Sequence, residues 1–387
     1  MKTESPHGHN RFSVTGRLLV DGRLVPGALV VDGERIVEVR TDPAGELPSP
    51  RLEAAIVSPG LIDLQCNGAF GYEVGGDAAA LRALAARLPS TGVTSFLPSL
   101  VSAAPVAYRA AAAAFTAART APGAVALGFH LEGPLLSPVR AGAHDPRAIA
   151  AGDAALDDVL DELVTTHAIR VVTLAPERRG ALIWIKRLVE AGVVVSLGHT
   201  DATFDQMIAG AEAGATLVTH LFSAMSPFHH RAPAAVGAAL TDDRLTVTVI
   251  ADGVHAHPAA LSLALRAKGP DRIALVTDAV AAARAPAGRY LLGGQTIISD
   301  GESARLADGT LAGSTLTLDR AVRSMVSLGG TSLEDALSMA TTVPAARLGL
   351  TDRGSLEVGR RADLVLWSAD LQVVSTVIGG AVAFEAQ

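Results

Sequence analysis

The stretch AVALGFHLE, residues 124–132, is a short apolar run that closes on a histidine and a glutamate. Seven further runs share its form: AIVSPGLID (55–63), VTSFLPS (93–99), IRVVTLAPE (169–177), VVVSLGH (193–199), ATLVTH (215–220), LTVTVIAD (245–252) and RIALVTD (272–278). Helix-like stretches separate them, among them the alanine-rich segment 103–118. Continuous apolar runs alternating with helices predict parallel strands covered on both faces. Eight of them are the count of a closed (β/α)8 barrel, with an open doubly wound sheet as the competing architecture.

The two ends of the chain read differently. RLLVDGRLV and GALVVDGERIVEVR carry Asp-Gly pairs at 21–22 and 32–33, which are hairpin signals. The last residues, GRRADLVLWSADLQVVSTVIGGAVAFEAQ, are again strands and turns. A small β-sandwich domain made from residues 1–57 and 355–387 is expected, around a barrel over 58–354.

Bulk properties narrow the function classes. The 387 residues are 49% hydrophobic but only 4% aromatic, so a large core of Ala, Val and Leu is available. The formal net charge is −7 and no long basic block occurs, which argues against a nucleic-acid partner. One cysteine, Cys66, excludes an intrachain disulfide framework and fits a reducing compartment. The N-terminus has no apolar signal core and no run of 18 apolar residues occurs, so a soluble cytoplasmic protein without a membrane partner is expected.

The apolar runs close on Asp63, Glu132, His199, His220, Asp252 and Asp278. Barrel strands open their C-terminal ends on one face, where barrel active sites lie. Glu132, His199 and His220 can therefore converge as a first shell for one divalent cation, Zn²⁺ foremost, with Fe²⁺, Co²⁺ and Mn²⁺ as alternatives. Any one of them alone is more often a hydrogen-bonded or solvated residue; the coincidence at three strand ends favours the site. HGH at 7–9 precedes the first strand and is not read as a site.

The ordered motifs PGLIDLQCNG (59–68), HLEGPLLSPVRAGAH (130–144), SLGHTDAT (196–203), THLFSAMSPFHHR (219–231), ADGVH (251–255), VTDAV (276–280) and GTLAGSTLTLD (309–319) resemble the N-acetylglucosamine-6-phosphate deacetylase family of the amidohydrolase superfamily. That resemblance implies a metal-dependent barrel hydrolase that cleaves the acetamide of a phosphorylated amino sugar. Superfamily members often end the first strand in His-x-His and hold two metals; Gln65 and Asn67 stand there in this chain. Neutral amides are weak ligands beside imidazole, so a one-metal site is expected, with both amides hydrogen bonding around it or holding water.

The resemblance gives roles to further residues. Asp278 is the expected general base and then acid, its ordinary alternative being a helix N-cap. His255 is expected to orient and polarise the acyl carbonyl. HAH (255–257) is not read as a metal pair, because it lies between Gly253 and Pro258 in a loop. Arg231 is the expected phosphate fork, reaching the neighbouring site of a homodimer. Substrate contacts are expected at Ala143, His144, Ser223, Ala224, Leu311, Ala312 and Gly313. The family pattern usually carries Asn where Ser223 stands, and Glu and Gly where Ala232 and Ala234 stand. These departures motivate a rival substrate, an unphosphorylated amino sugar or an N-acyl amino acid; a non-catalytic metal-binding relic is the alternative of a different class.

Overall fold

The computed structural model describes residues 11–41, 47–49, 51–166 and 168–386; the HGH at 7–9 lies outside them. Eight parallel strands follow one another in chain order round a nearly closed barrel: Leu61–Cys66, Val93–Leu100, Phe129–Glu132, Ile169–Leu174, Val194–Leu197, Leu217–Val218, Thr246–Val249 and Ile273–Leu275. Helices return between them, including Pro105–Ala118, which starts on a proline as a first helical turn allows. The main core is mostly aliphatic, with Phe96, Tyr108, Phe129 and Trp367 as its large fully buried rings.

A separate seven-stranded sheet is made by both termini. Arg11–Val20, Arg23–Asp32, Arg35–Arg40 and Arg51–Pro59 come from the start, and Leu364–Trp367, Val373–Ile378 and Ala381–Glu385 from the end. Leu364–Trp367 pairs with Arg51–Pro59 and joins the two halves. Asp21 and Gly22 both have positive φ, 47° and 71°, and form the two-residue turn between Val20 and Arg23, as their Asp-Gly sequence predicts. The second turn falls on Gly33 and Glu34, one residue later than its Asp-Gly pair. The run 55–63 is two strands rather than one. Gly60 stands between them, where Thr94 packs in the place of a Cβ and no side chain fits.

Two features position the site. The barrel is closed between its eighth and first strands without a regular ladder. Asp278 N–H donates to Gln65 O (2.9 Å) and Asn67 N–H to Ala279 O (2.7 Å). The Asp63 carboxylate lies beneath them, accepting from the Thr277 hydroxyl (2.6 Å) and from the N–H groups of Thr277 and Gln65, each at 3.2 Å. The second feature is an insertion after Asp278. The strands Gly288–Leu292, Gln295–Ser299 and Ala304–Arg305 form a small antiparallel flap with its own apolar cluster, including Ala143, Val280, Leu292 and Ile297. Gly293 N–H donates to Glu73 (2.7 Å) and the Gln295 amide to Ala143 O, which fasten the flap to neighbouring loops.

Candidate metal centre and active-site cavity

Glu132 ends the third barrel strand, and His199 and His220 follow the fifth and sixth. Their tips meet. Glu132 Oε1 is 3.2 Å from His199 Nε2 and 2.8 Å from His220 Nε2, and the two nitrogens are 3.1 Å apart. All three residues are buried. Ligands bonded to one tetrahedral ion at about 2.0–2.1 Å lie about 3.3–3.4 Å apart, so this triangle is close to the size a shared cation requires. The tautomer of His199 fits as well. Its Nδ1–H donates to Arg140 O (2.8 Å), which leaves the Nε2 lone pair for a ligand. Burial works against charge on Glu132, but His199 and hydrogen bonds from His144, His199 and His220 hold its carboxyl well below the usual range. His199 and His220 have φ of 46° and 32°, and Asp278 has 47°. Left-handed backbone at three non-glycine site residues is costly, and such strain gathers at functional sites.

His144 is a third imidazole at this cluster, within 4.8 Å of Glu132 and His199. Its Nδ1 accepts from Ser102 N–H (3.0 Å), so the ring hydrogen of its neutral form is on Nε2, 3.4 Å from Glu132 Oε2. Burial and the charge of His199 depress its pKa to about 4. His144 therefore orients Glu132 as a donor.

The amides of the first strand bridge the site. Gln65 Nε2 donates to Glu132 Oε1 (2.9 Å) and to Asp278 Oδ1 (3.1 Å), and Asn67 Nδ2 donates to Asp278 Oδ1 (2.7 Å). Carboxylates only accept, so both amides must turn their nitrogens to them. Gln65 Oε1 and Asn67 Oδ1 are consequently buried without partners among the described residues, as is His220 Nδ1. Burial, followed by the charge of Glu132, raises Asp278 to about 6. His255 Nδ1 is 2.7 Å from Asp252 Oδ2.

These groups open into a cavity of about 370 Å³. Of the sequence-predicted residues, Glu132, Ala143, His144, His199, His220, Ser223, Ala224, His255, Asp278, Leu311, Gly313 and Asn67 line it. Ala312 does not: it is fully buried in the flap's cluster, its N–H donating to Ala304 O (2.9 Å). Gln65 lies behind Asp278 rather than on the wall. Arg231 is not brought to this cavity either. Its short loop turns away, pairing His229 with Ala232, and leaves Arg231 exposed on an adjoining groove of about 600 Å³ beside His230 (2.9 Å). Arg140 lines both spaces and pairs with Asp201 (2.8 Å).

Sequence reasoning missed the residues behind the site. Ser102, Asp252, Thr277 and Arg140 act on its members, and Val101, Val139, Gly142, Leu292 and Thr310 line the rest of the wall. A polar layer beneath it was also missed. His130 Nδ1–H donates to Leu64 O (2.9 Å), so Nε2 accepts from Thr173 (2.7 Å), which accepts from Thr219 (2.6 Å), which accepts from Ser196 (2.6 Å). Only strand-end carboxylates such as Asp63 and Asp252 were visible as a signal.

The comparisons agree with this architecture. The model of the Amidohydrolase family matches residues 56–383. The N-acetylglucosamine-6-phosphate deacetylase of Bacillus subtilis (strain 168) is 37% identical over 92% of this chain and 93% of its own length. The N-acetylgalactosamine-6-phosphate deacetylase of Escherichia coli O157:H7 is 42% identical over 86% and 88%. A solved structure of a variant N-acetyl-D-glucosamine-6-phosphate deacetylase from Mycobacterium smegmatis, in complex with N-acetyl-D-glucosamine-6-phosphate, superposes with a TM-score of 0.90 at 36% identity, covering 96% of this chain and 99% of that one. With its strand-end residues gathered at one barrel mouth, the chain belongs to the amidohydrolase family.

Proposed function

We propose that this chain hydrolyses the acetamide of N-acetyl-D-glucosamine 6-phosphate to D-glucosamine 6-phosphate and acetate. The observation that carries the reading is the meeting of Glu132, His199 and His220 beside Asp278 in one cavity, in a chain similar over nearly its whole length to deacetylases of that name. A divalent cation held by Glu132, His199 and His220 would polarise the acyl carbonyl and lower the pKa of a water from 15.7 toward about 7. Zn²⁺ is the first choice for two imidazoles and a carboxylate.

The chain's own residues do the rest. Gln65 and Asn67 both bond Oδ1 of Asp278, which leaves Oδ2 for proton transfer. Asp278 takes the proton of the attacking water and then gives it to the departing nitrogen; protonation in the first step arms it for the second. His255 steadies the acyl oxygen. Leu292 of the flap and Leu311 just after it add apolar surface to the cavity wall. Arg231 is assigned to the phosphate of a neighbouring subunit in a cytoplasmic homodimer, since it is exposed and outside its own cavity. The catalytic unit is taken as residues 58–354, with 1–57 and 355–387 as its companion β domain.

The galactosamine epimer is the second reading, favoured by the 42% identical relative from Escherichia coli O157:H7. Acetate release should be measured on both 6-phosphate epimers and on unphosphorylated N-acetylglucosamine, with metal content determined. A strong preference for the glucosamine 6-phosphate ester, with about one metal per chain, is expected. Equal kcat/KM with and without the phosphate would overturn the assignment. Ser223 and Ala232 set the expected affinity: one hydrogen bond to a charged group is worth ~1.5–3 kcal/mol, or about 10- to 100-fold.

A further inference from the structure

Asp252 and His255 sit on the loop after the seventh strand, with side chains 11% and 8% exposed. Asp252 Oδ1 accepts the N–H groups of Val254 and His255, each at 2.8 Å, while Oδ2 meets His255 Nδ1 at 2.7 Å. Burial raises the Asp252 carboxyl, but the bonds and charge of His255 and the two backbone amides outweigh it and hold the group below its ordinary value. An ionised carboxylate has no hydrogen to give, so Nδ1 carries one. In the neutral ring Nε2 is then bare. A bare nitrogen accepts; it has nothing to offer a carbonyl oxygen.

We propose that Asp252 is a positioning residue that fixes His255 in its Nδ1–H form, so that His255 donates to the acyl oxygen only as the imidazolium. This rests on the role given to His255 above. Two carboxylates lie near the ring: Asp252 bonds it from its own loop, and Asp278 shares the cavity with it from the end of the eighth strand. A donor that carries full charge makes a shorter and stronger bond to a developing oxyanion than a neutral N–H does. No proton leaves the ring; the hydrogen bond tightens as charge builds on the oxygen.

Asp252→Asn tests this. The backbone amides of Val254 and His255 must keep an acceptor, so the new side chain presents its oxygen to them and its NH₂ to Nδ1. Nδ1 then has to accept, and the neutral ring moves its hydrogen to Nε2. The readout is ¹⁵N NMR of histidine-labelled, metal-loaded full-length protein, with His255→Gln to assign the signals, in the pH range where the ring is neutral. Wild type should show a protonated Nδ1 and a bare Nε2, and Asp252→Asn the reverse. The kinetic readout is kcat on N-acetylglucosamine 6-phosphate. Losing a whole oxyanion donor costs about 10²–10³ in kcat, so losing only its charge should cost about 10- to 100-fold, with KM nearly unchanged. The fall of kcat at alkaline pH caused by ring deprotonation should vanish in the variant. A wild-type neutral ring protonated on Nε2 would overturn the proposal, whether or not the variant folds. An alkaline limb identical in both proteins would overturn it too. Failure of wild type to turn over the sugar phosphate would instead refute the function, since the NMR pattern does not depend on the substrate.

Discussion

Asp63 should make the protein less stable as pH rises, and Asp63→Asn should remove the effect. Burial pushes its carboxyl up from an ordinary 3.8 to about 7, over the opposing bonds from Thr277 and Gln65, and the nearby Asp278 charge adds to the rise. The folded state therefore binds the proton more tightly than the unfolded chain does. Stability from this group is full below about pH 4 and is lost as pH climbs through about 7. At about 1.4 kcal/mol per pH unit the whole loss is about 4 kcal/mol, of which about 2.5 kcal/mol falls between pH 5 and pH 8. Asparagine preserves the bonding. Its oxygen keeps the N–H groups of Gln65 and Thr277, and its NH₂ faces the Thr277 hydroxyl, which then donates to Gln65 O at 3.0 Å. With about 2.1 cal/mol/K per residue over 387 residues, 2.5 kcal/mol is about 3 °C in Tm. Thermal melts of both proteins at pH 5 and pH 8, metal saturated, should show the variant gaining about that much on wild type. Taking the difference at each pH cancels effects both proteins share, because Asp63 touches none of the three proposed ligands. A Tm difference that stays constant across the range would refute the argument, for it would mean the carboxyl titrates alike in both states.

Other outcomes follow from the site. Asp278→Asn should lower kcat by about 10²–10⁴ with metal content intact, because it removes the proton carrier but no proposed ligand; near-wild-type turnover would exclude it as the base. Gly142→Ala puts a Cβ 3.1 Å from His199 Cε1 on backbone at φ 57°, so the ring must tilt or the loop shift. Chelator competition should then report about tenfold weaker metal binding, equivalent to about 1.4 kcal/mol. Converting Gln65 and Asn67 together to histidine replaces the donors that bridge Glu132 and Asp278 with two ligands. Metal analysis should rise from about one to about two ions per chain, while an unchanged count would show that the amides do not decide the stoichiometry.

Fold and site were legible in unequal measure, and the inequality has a physical cause. Eight apolar runs announced the barrel because strands buried on both faces must be apolar throughout. Glu132, His199, His220 and Asp278 were legible because a barrel allows polar residues at the C-terminal strand ends, so an ionisable group there stands out. The flap at 288–305 was not legible, since short strands such as GRYLL and QTIIS carry little pattern of their own and pack on a cluster that includes Ala143, far earlier in the chain. Nor was the bonding behind the ligands. Ser102 reaches His144 across 42 residues, and Asp63 reaches Thr277 across 214. Gln65 joins both cases. Its sequence position suggested an amide that hydrogen bonds around a one-metal site without naming its partners, and the structure shows one amide nitrogen spanning Glu132 and Asp278. A histidine there would compete for a cation; an amide can only donate to both carboxylates at once. Gln65 thus couples the proposed ligand to the proposed base by a neutral bridge, and the proposed use of a single ion would follow from what that bridge withholds as much as from what the three proposed ligands supply.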